Sequence, residues 1–252
     1  MECFHVVKTE TGASREECVA VEEPLQITID GHPVAVVMRT PGDDEDLVTG
    51  FLITEAILSE PGQIRRIEVR DNQALVFLHD GVEVDIGGMG RNLYSASSCG
   101  ICGKASVDRV FLNFPPLPAP CCVKAEHLLA APDRLKDGQI VFRSTGGLHA
   151  AGLFDDRGDM ICVREDVGRH NAVDKVIGHA LFNNLPLSGG FLMVSGRVSF
   201  EVMQKALGAR IPAVAAVSAP SSLAVEFARR SGQVLVGFLR PPRFNVYSGE
   251  VG

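Results

Sequence analysis

Apolar and polar residues alternate in several short stretches of the first third of the chain, a spacing typical of strands with one buried face. Leu25, Ile27 and Ile29 alternate in this way. Asp30-Gly31 supplies a turn and residues 34–38 form the return strand, so a hairpin is predicted. Further along, the same pattern predicts a meander of three short strands at residues 67–69, 75–78 and 82–86.

Helical spacing appears between the predicted hairpin and the predicted meander. The apolar positions that carry it are Leu47, Phe51, Leu52 and Leu58. Asp43 or Asp44 is predicted to cap this helix, and the acids of residues 43–46 favour the positive end of its dipole. The acidic run is therefore predicted to start a helix rather than to bind a metal.

The second half of the chain alternates between apolar runs of strand length and amphipathic stretches of helix length. The predicted strands are residues 148–154, 160–163, 191–194, 213–217 and 234–239. The predicted helices are centred on residues 173–181, 200–207 and 223–228. This alternation predicts an α/β fold with a largely parallel sheet that helices cover on both faces.

Prolines divide the chain into parts. The Pro-rich run at residues 114–120 fits neither a helix interior nor a central strand, and a helix at residues 124–136 is predicted to break at Pro132. We therefore predict a β-rich N-terminal α+β subdomain at residues 1–112, ending in a C-x-x-C loop. A crossover at residues 113–123 and a C-terminal α/β domain at residues 124–252 follow.

The composition is that of a globular protein with a large core, with 252 residues, 46% hydrophobic and 22% charged. The net charge of -7 comes without a block of lysine or arginine, which argues against binding to nucleic acid or to an anionic membrane surface. Seven scattered cysteines are no disulfide framework, so a reducing cytoplasm is predicted. No secretory signal and no bilayer-spanning apolar run is present.

Cys99 and Cys102 form a C-x-x-C pair with a glycine after each cysteine. The small, polar residues before the pair predict an exposed, mobile loop. By spacing alone the pair fits half of a zinc site, a thioredoxin-like redox couple, a structural disulfide, or a persulfide carrier. These four interpretations stay open at the level of spacing.

Four polar loops lie where predicted strands and helices meet, at residues 144–149, 164–171, 195–199 and 218–222. Ligands collect at such strand ends in α/β sheets. Glycine and serine backbone donors near Arg169 and Arg197 suit a phosphate or another anion. The loops together therefore predict an anion-binding pocket.

Each loop also has a simpler structural explanation. Ser199 and Ser221 are predicted to cap helices, and Asp166 to pair with Arg169 or Arg164. His170 alone is typical of a hydrogen-bonded histidine at a helix start. Of the other polar and thiol groups, Asp174 and Lys175 are predicted to form a solvated pair, and Cys162 to be a small core residue.

Two arginines stiffened by prolines follow the last predicted strand. Arg240 and Arg243 flank Pro241-Pro242, which limits their motion and suits recognition of a phosphate or a purine. A plain basic turn is the alternative.

Several motifs together resemble the FdhD family, the formate dehydrogenase accessory sulfurtransferases, from about residue 24 to residue 247. They are the C-x-x-C pair after Ser97-Ser98 and the residues 145–151, 164–175, 195–201 and 218–224. The long segment at residues 164–175 is the most specific of them.

The resemblance implies a cytoplasmic sulfur carrier. Such a protein takes persulfide sulfur from a cysteine desulfurase and delivers it to the molybdenum or tungsten bis(guanine dinucleotide) cofactor of formate dehydrogenase. The cofactor is then a bound client, for which a guanine nucleotide can substitute. A homodimer and a C-terminal half with the layered α/β/α fold of cytidine deaminases are also implied.

Carried over by position, Cys99 matches the persulfide-forming cysteine and Cys102 its partner. The cofactor-binding segment matches Phe238, Leu239, Arg240, Pro241, Pro242 and Arg243. From the polar loops, the candidate cofactor-binding residues are Gly146, Gly147, His149, Arg169, His170, Ser195, Gly196 and Arg197.

Deaminase chemistry needs an H-x-E and a P-C-x-x-C to hold and use zinc, and the chain has neither. No catalytic zinc or other metal site is therefore predicted. The competing hypotheses are a zinc-binding or nucleotide-binding module without sulfur transfer, and a C-x-x-C disulfide oxidoreductase.

Overall fold

The computed structural model describes residues 1–7, 14–84, 110–118 and 121–252. Cys99 and Cys102, with the predicted loop that carries them, lie outside the described residues. The chain begins with a two-stranded antiparallel ribbon, β1 (Glu2–Val7) and β2 (Ser14–Val19).

A four-stranded sheet follows, with strand order β4-β3-β6-β5. Its strands are β3 (Glu23–Ile29), β4 (His32–Arg39), β5 (Ile64–Arg70) and β6 (Gln73–Leu78). The predicted hairpin is confirmed as β3 and β4. The meander is confirmed only for β5 and β6, because residues 82–84 form no strand and 85–86 lie outside the described residues. Since β6 already pairs with β3 and β5, it has no free edge for a third meander strand.

Helix α1 (Asp44–Thr54) is confirmed, and so is Asp43 as its N-cap residue, although no side-chain cap hydrogen bond is made. Asp43 stands in the left-handed region. The acids pair with arginines instead. Arg39 Nε lies 2.9 Å from Asp44 Oδ1, and Arg164 Nη2 lies 2.9 Å from Asp46 Oδ2.

The larger sheet has six strands in the order β13-β12-β11-β10-β8-β9. A two-residue strand, β7 (Cys122–Val123), precedes two helices, α2 (Ala125–Gly138) and α3 (Ile140–Thr145). The sheet strands are β8 (His149–Phe154), β9 (Met160–Asp166), β10 (Phe191–Val194), β11 (Ala213–Ala216), β12 (Val234–Arg240) and β13 (Arg243–Ser248). β14 (Glu250–Val251) pairs with β7.

Of the neighbouring pairs in this sheet, only β10–β11 and β11–β12 are parallel, so the prediction of a largely parallel sheet is wrong in part. The pairs β8–β9 and β12–β13 are antiparallel, because each is joined by a short turn. The predicted helices are confirmed as α4 (Arg169–Phe182), α5 (Phe200–Gly208) and α6 (Ser222–Ser231).

Helices cover both faces of this sheet, as predicted. Alternate side chains of the strands pack with α4, α5 and α6 on one face and with α2 on the other. Helix α2 continues through Pro132, so the predicted break is wrong. Leu128, Ala131 and Leu135 are buried against the sheet, and this packing holds the helix where the proline removes one backbone hydrogen bond.

Helices α1 and α4 pack against each other with their backbones in contact, and this contact connects the four-stranded sheet with the six-stranded sheet. A Cβ atom on Gly50 would overlap the carbonyl oxygen of Asp174, and one on Gly178 would overlap that of Asp46. Only glycine allows the two backbones to touch in this way. The predicted subdomain boundaries, at residues 112 and 123, stay a prediction, but α1 packs directly on the C-terminal half.

Candidate functional site

One edge of the six-stranded sheet collects the polar loops. His149 opens β8 opposite Asp166 at the end of β9, and Ser195 follows β10. Helices α4, α5 and α6 begin just beyond the ends of β9, β10 and β11 at the same edge. The first backbone N–H groups of a helix have no partner within the helix and carry partial positive charge, which favours an anion near a helix N-terminus.

A cavity of about 570 Å³ opens at this edge. Of the sequence-predicted residues, it is lined by Gly146, Gly147, His149 and Ser195. The sequence reasoning missed the opposite wall, which α2 and α3 supply through Lys136, Gln139 and Phe142. No local motif marks these three residues, because they reach the cavity only through tertiary packing.

His149 is half-buried in the cavity wall. Burial lowers the pKa of its imidazole, and the nearby charges of Arg169 and Arg197 lower it further against the opposing effect of Asp166. A Cβ atom at Gly196 would lie 3.1 Å from His149 Nδ1, so glycine leaves room for the ring. The imidazole is therefore neutral at pH 7 and offers one donor and one acceptor.

Ser195 ties the next loop to β8. Its backbone N–H donates to the carbonyl oxygen of Ala150 at 2.9 Å, and its Oγ accepts from Ala150 N at 2.9 Å. These two bonds hold the loop after β10 against the start of β8, where His149 stands.

Glu165 holds the helical wall of the cavity. Its carboxylate oxygens accept hydrogen bonds from the backbone N–H groups of Val141 and Phe142, both at 2.8 Å. Because these groups belong to the first turn of α3, the negative charge also complements the helix N-terminus.

Asp166 anchors the segment between β9 and α4 through buried polar contacts. Lys175 Nζ lies 2.9 Å from Asp166 Oδ2, both side chains are almost fully buried, and Lys175 also donates to the carbonyl oxygen of Thr40 at 2.8 Å. The carboxylate accepts three further hydrogen bonds, from Thr40 N, Gly168 N and Asn171 Nδ2. The predicted pairing of Asp166 with Arg169 or Arg164 is therefore wrong.

The prediction of a solvated Asp174 and Lys175 pair is also wrong. Asp174 is 1% exposed and lies 2.8 Å from Lys205 Nζ, which also contacts Glu55 at 2.7 Å. These partners raise the pKa of Lys205, so the lysine stays charged. The packing of α1 against α4 and α5 buries Asp174 and Lys205 almost completely, whereas the Glu55 side chain stays 23% exposed.

His170 stands at the start of α4, 3.0 Å from Ser199 Oγ and 3.8 Å from Glu201 Oε2, both measured from Nε2. It thus has the hydrogen-bond partner that its position predicts. Burial, with Arg169 and Lys205 nearby, lowers its pKa to about 4. Serine and carboxylate face the same ring nitrogen, so the three groups do not form a nucleophilic triad, in which they would bind opposite nitrogens.

Arg169 stands between the two histidines and lowers the pKa of each. Within the described ranges, its buried Nε has no hydrogen-bond partner.

Ser221 caps α6 by accepting from Ala224 N at 3.2 Å, as predicted, whereas Ser199 makes no cap bond. Arg197 is exposed at the rim of the same loop cluster.

Residues 238–243 comprise the end of β12, the tight turn at Pro241-Pro242 and the first residue of β13. The sequence reasoning missed strand β13. Phe238 has φ of 49° within a β-bulge, and its N–H donates to the carbonyl oxygen of Ser218. Leu239 is buried in the core. Arg240 and Arg243 face each other in register and are exposed on either side of Pro241-Pro242.

This turn, at residues 238–243, extends from the same sheet edge as the cavity, because β12 runs parallel to β10 and β11. It does not line the cavity, since β10 and β11 lie between β12 and β8. The structure thus brings four of the predicted loop residues to the cavity, Gly146, Gly147, His149 and Ser195. The other four, Arg169, His170, Gly196 and Arg197, stand in the neighbouring loops outside its lining, as does the arginine turn.

Cys162 is buried in β9, as predicted. Burial raises the pKa of its thiol to about 11, which keeps it protonated and unreactive at pH 7. In the part of the chain that the structure describes, no group of three or more metal-binding side chains converges, and no helix could cross a membrane. The absence of a zinc site stays a prediction.

Comparisons with known proteins identify relatives over nearly the whole chain. A sulfur carrier protein FdhD from Streptomyces coelicolor is 48% identical over 97% of this chain and 92% of its own length. That of Mycobacterium tuberculosis is 49% identical over 93% and 91%. A crystal structure from Desulfotalea psychrophila, of a protein described as a formate dehydrogenase accessory protein, matches with TM-score 0.79 and 26% identity over 99% of this chain and 96% of its own.

The model of the FdhD/NarQ family matches residues 20–251. This range includes both sheets and all the loops that surround the cavity. The chain belongs to the FdhD/NarQ family.

Proposed function

We propose that this protein is a sulfur carrier for formate dehydrogenase. It accepts sulfane sulfur from a cysteine desulfurase on Cys99 and passes it to a molybdenum or tungsten bis(guanine dinucleotide) cofactor bound at the sheet edge. The names of its relatives and the C-x-x-C pair support the sulfur chemistry. The observation that carries the choice of ligand is the cavity, with its neutral histidine, glycine loop and nearby arginines.

In the proposed loading step, the Cys99 thiolate attacks the terminal sulfur of the donor's persulfide. The bond between the two donor sulfurs breaks, the donor leaves as a thiolate, and Cys99 holds the sulfur as a persulfide. Cys102 then helps to release that sulfur to the acceptor. Loading needs no redox partner, because the sulfane sulfur moves from one thiolate to another without a net change in oxidation state. In delivery as sulfide, the Cys102 thiolate attacks the Cys99 sulfur, the Cys99–Cys102 disulfide forms and the outer sulfur leaves as hydrosulfide. Two molecules of a low-molecular-weight thiol then reduce that disulfide and are themselves oxidised to a disulfide.

The sheet edge supplies what a ligand with several phosphates needs. Gly146 and Gly147 place an exposed backbone at the cavity, and Arg169 adds a positive charge with an unpaired N–H among the described residues. The N-termini of α4, α5 and α6 add partial positive charge. His149 can donate to or accept from a base or a ribose.

Arg240 and Arg243 suit a second phosphate or the far nucleotide of a long ligand. Their exposed turn leaves the same edge as the cavity without lining it. We propose that the cavity holds one nucleotide end and that the turn contacts the ligand where it leaves the cavity.

The remaining details of the proposal follow the family resemblance. They are a homodimer in the cytoplasm, the cysteine desulfurase as donor, and the layered arrangement of cytidine deaminases for the C-terminal half. The two helical layers around the six-stranded sheet support the last of these.

Sulfur loading tests the carrier chemistry directly. The full chain is incubated with a cysteine desulfurase and cysteine, and its mass is measured without reductant. We expect the mass of one added sulfur atom, lost on treatment with a thiol and absent from Cys99→Ser, whereas the matched variant Cys162→Ser loads normally. Loading that persists in Cys99→Ser, or one zinc ion bound per chain and lost in that variant, would contradict the proposal.

Nucleotide binding tests the ligand. Titration with guanosine diphosphate is expected to give saturable binding that competes with inorganic pyrophosphate. Absence of binding to the wild-type chain would remove the cavity from the proposal, while the sulfur-loading result would stand by itself.

A further inference from the structure

A second pair of cysteines lies in contact, and both residues are far from the C-x-x-C pair in the sequence. Cys3 and Cys18 are direct partners in the register of β1 and β2, and their Sγ atoms lie 2.6 Å apart. Cys3 is exposed and Cys18 is half-buried, so reagents in solution can reach them. Neither residue lines the cavity or belongs to the motifs that identify the family.

The geometry suits a covalent bond between the two thiols. Opposed residues in an antiparallel pair have Cα atoms about 4.5 to 5.5 Å apart, which is within the range that a disulfide spans. Both side chains point to one face of the ribbon, because register partners share a face. Neither strand has to move for the sulfurs to meet.

The surroundings predict how the pair responds to pH. The hydrogen bond with Cys18 raises the pKa of the Cys3 thiol, and the charge of Glu16 on the same face raises it further. The thiol is the stable form at pH 7. Reaction as the thiolate therefore becomes faster as the pH rises.

We propose that Cys3 and Cys18 form a redox-active dithiol that closes to a cross-strand disulfide on reaction with a low-molecular-weight disulfide. One thiolate attacks the reagent, whose sulfur–sulfur bond breaks to give a mixed disulfide and one free thiol. The second cysteine then attacks the protein sulfur of the mixed disulfide and releases the other half of the reagent as a thiol. The chain loses two electrons and two protons, and the reagent gains them.

Formation of the Cys3–Cys18 disulfide links strand β1 covalently to strand β2, and β2 lies next to the cavity. Strand β2 packs against α3, whose Phe142 lines the cavity. A Cβ atom at Gly147 would lie 3.6 Å from the Cβ of Ala20, the residue after β2. A bond between β1 and β2 therefore restrains the element that supports one wall of the cavity, whether or not the chain carries sulfur.

The test uses the full chain with Cys99→Ser and Cys102→Ser, so that the C-x-x-C pair does not contribute. After incubation with oxidised glutathione, we expect a linked peptide that joins Cys3 to Cys18 with the loss of two hydrogens, and no glutathione retained on either of these two cysteines. Adding Cys18→Ser leaves one glutathione on Cys3, whereas adding Cys121→Ser changes nothing. The rate is expected to rise about tenfold from pH 7 to pH 8.

Hydrogen exchange reports the restraint separately. In the closed form, amides of β1 and β2 are expected to exchange about 100-fold more slowly, since the bond closes a loop of roughly 15 residues. Glutathione retained on both cysteines, or no Cys3–Cys18 peptide, would overturn the site. Unchanged exchange in a chain that carries the bond would overturn the restraint.

Discussion

The cavity wall and the arginine turn at residues 238–243 lie at the same edge of one sheet but are built differently. Behind the cavity, Asp166 and Lys175 are buried and fully hydrogen-bonded, and they hold the loop that carries Arg169 and His170. At the turn, Arg240 and Arg243 are exposed on a short antiparallel connection.

The difference teaches how the two regions can recognise a ligand. A charge held by a buried network keeps its position without a ligand, so little side-chain entropy is lost on binding. An exposed arginine loses rotamer freedom when it binds, and water and salt screen its charge. We therefore expect the cavity to set affinity and the turn to add a smaller contribution.

The largest expected effect is on stability, from Lys175→Met. This change removes the cation and leaves the Asp166 carboxylate buried without its partner, which costs about 3 to 5 kcal/mol. Urea unfolding measures the change. The matched variant Arg240→Met, on the exposed turn, is expected to stay within about 0.5 kcal/mol of wild type. Similar unfolding midpoints for both variants would remove the distinction between the two regions.

The next prediction concerns acid. The pKa of His170 is lowered from 6.5 to about 4, so the unfolded chain binds a proton there between these values and the folded chain does not. Stability is therefore lost as the pH falls from about 6.5 towards 4, by about 3 kcal/mol at most.

His170→Asn removes this group, so its stability should change less over the same pH range than that of the wild type. The exposed His32 at the start of β4 offers the control, since His32→Asn is expected to keep the wild-type profile. Denaturant unfolding at a series of pH values gives the comparison. Parallel profiles for wild type and His170→Asn would contradict the prediction.

Ligand affinity sharpens the comparison further. Arg169→Ala is expected to weaken binding of guanosine diphosphate by about tenfold or more, because it removes a half-buried charge near the cavity whose Nε has no hydrogen-bond partner among the described residues. Arg240→Ala and Arg243→Ala are each expected to weaken it by about threefold or less at physiological salt. Calorimetric titration measures all three, and a larger effect from the turn than from Arg169 would reverse the assignment.

The smallest expected effect separates two serines at the same sheet edge. Ser221→Ala removes a helix cap and is expected to cost about 1 kcal/mol, because the N–H of Ala224 loses its acceptor. Ser199→Ala removes no cap bond but does remove the hydrogen bond to His170 Nε2, so in a chain that already carries His170→Ala it is expected to cost less than Ser221→Ala. Thermal unfolding of the two variants side by side provides the measurement, and equal losses would show that capping does not distinguish them.

Much of the fold could be predicted because its elements follow simple periodicities. The helix around Val173 and Val176 and the strand at residues 191–194 carry patterns that tertiary contacts reinforce. The ribbon of β1 and β2 is not predicted, because its apolar residues do not alternate with polar ones, and the ribbon residues whose burial the structure describes are exposed or half-buried. Strand β13 was missed for a similar reason, since prolines and arginines at its start are typical of a turn.

The site was predictable in its loops and not in its support. Gly147 and His149 stand in a local motif, and the structure places both at the cavity. The sequence predicts a solvated Lys175, because a charged side chain in an amphipathic helix usually faces water. Its burial depends on α1, whose Gly50 lies more than a hundred residues away in sequence, and no local pattern records that contact.

The glycine contact between α1 and α4 has a mechanical consequence. Where two backbones touch, no side chain remains between them that could change rotamer and absorb a displacement, and such packing is hard to compress. A force on the four-stranded sheet therefore passes into α4 and reaches its first turn, where Arg169 and His170 stand. The four-stranded sheet and the cavity end of the six-stranded sheet are therefore expected to move together.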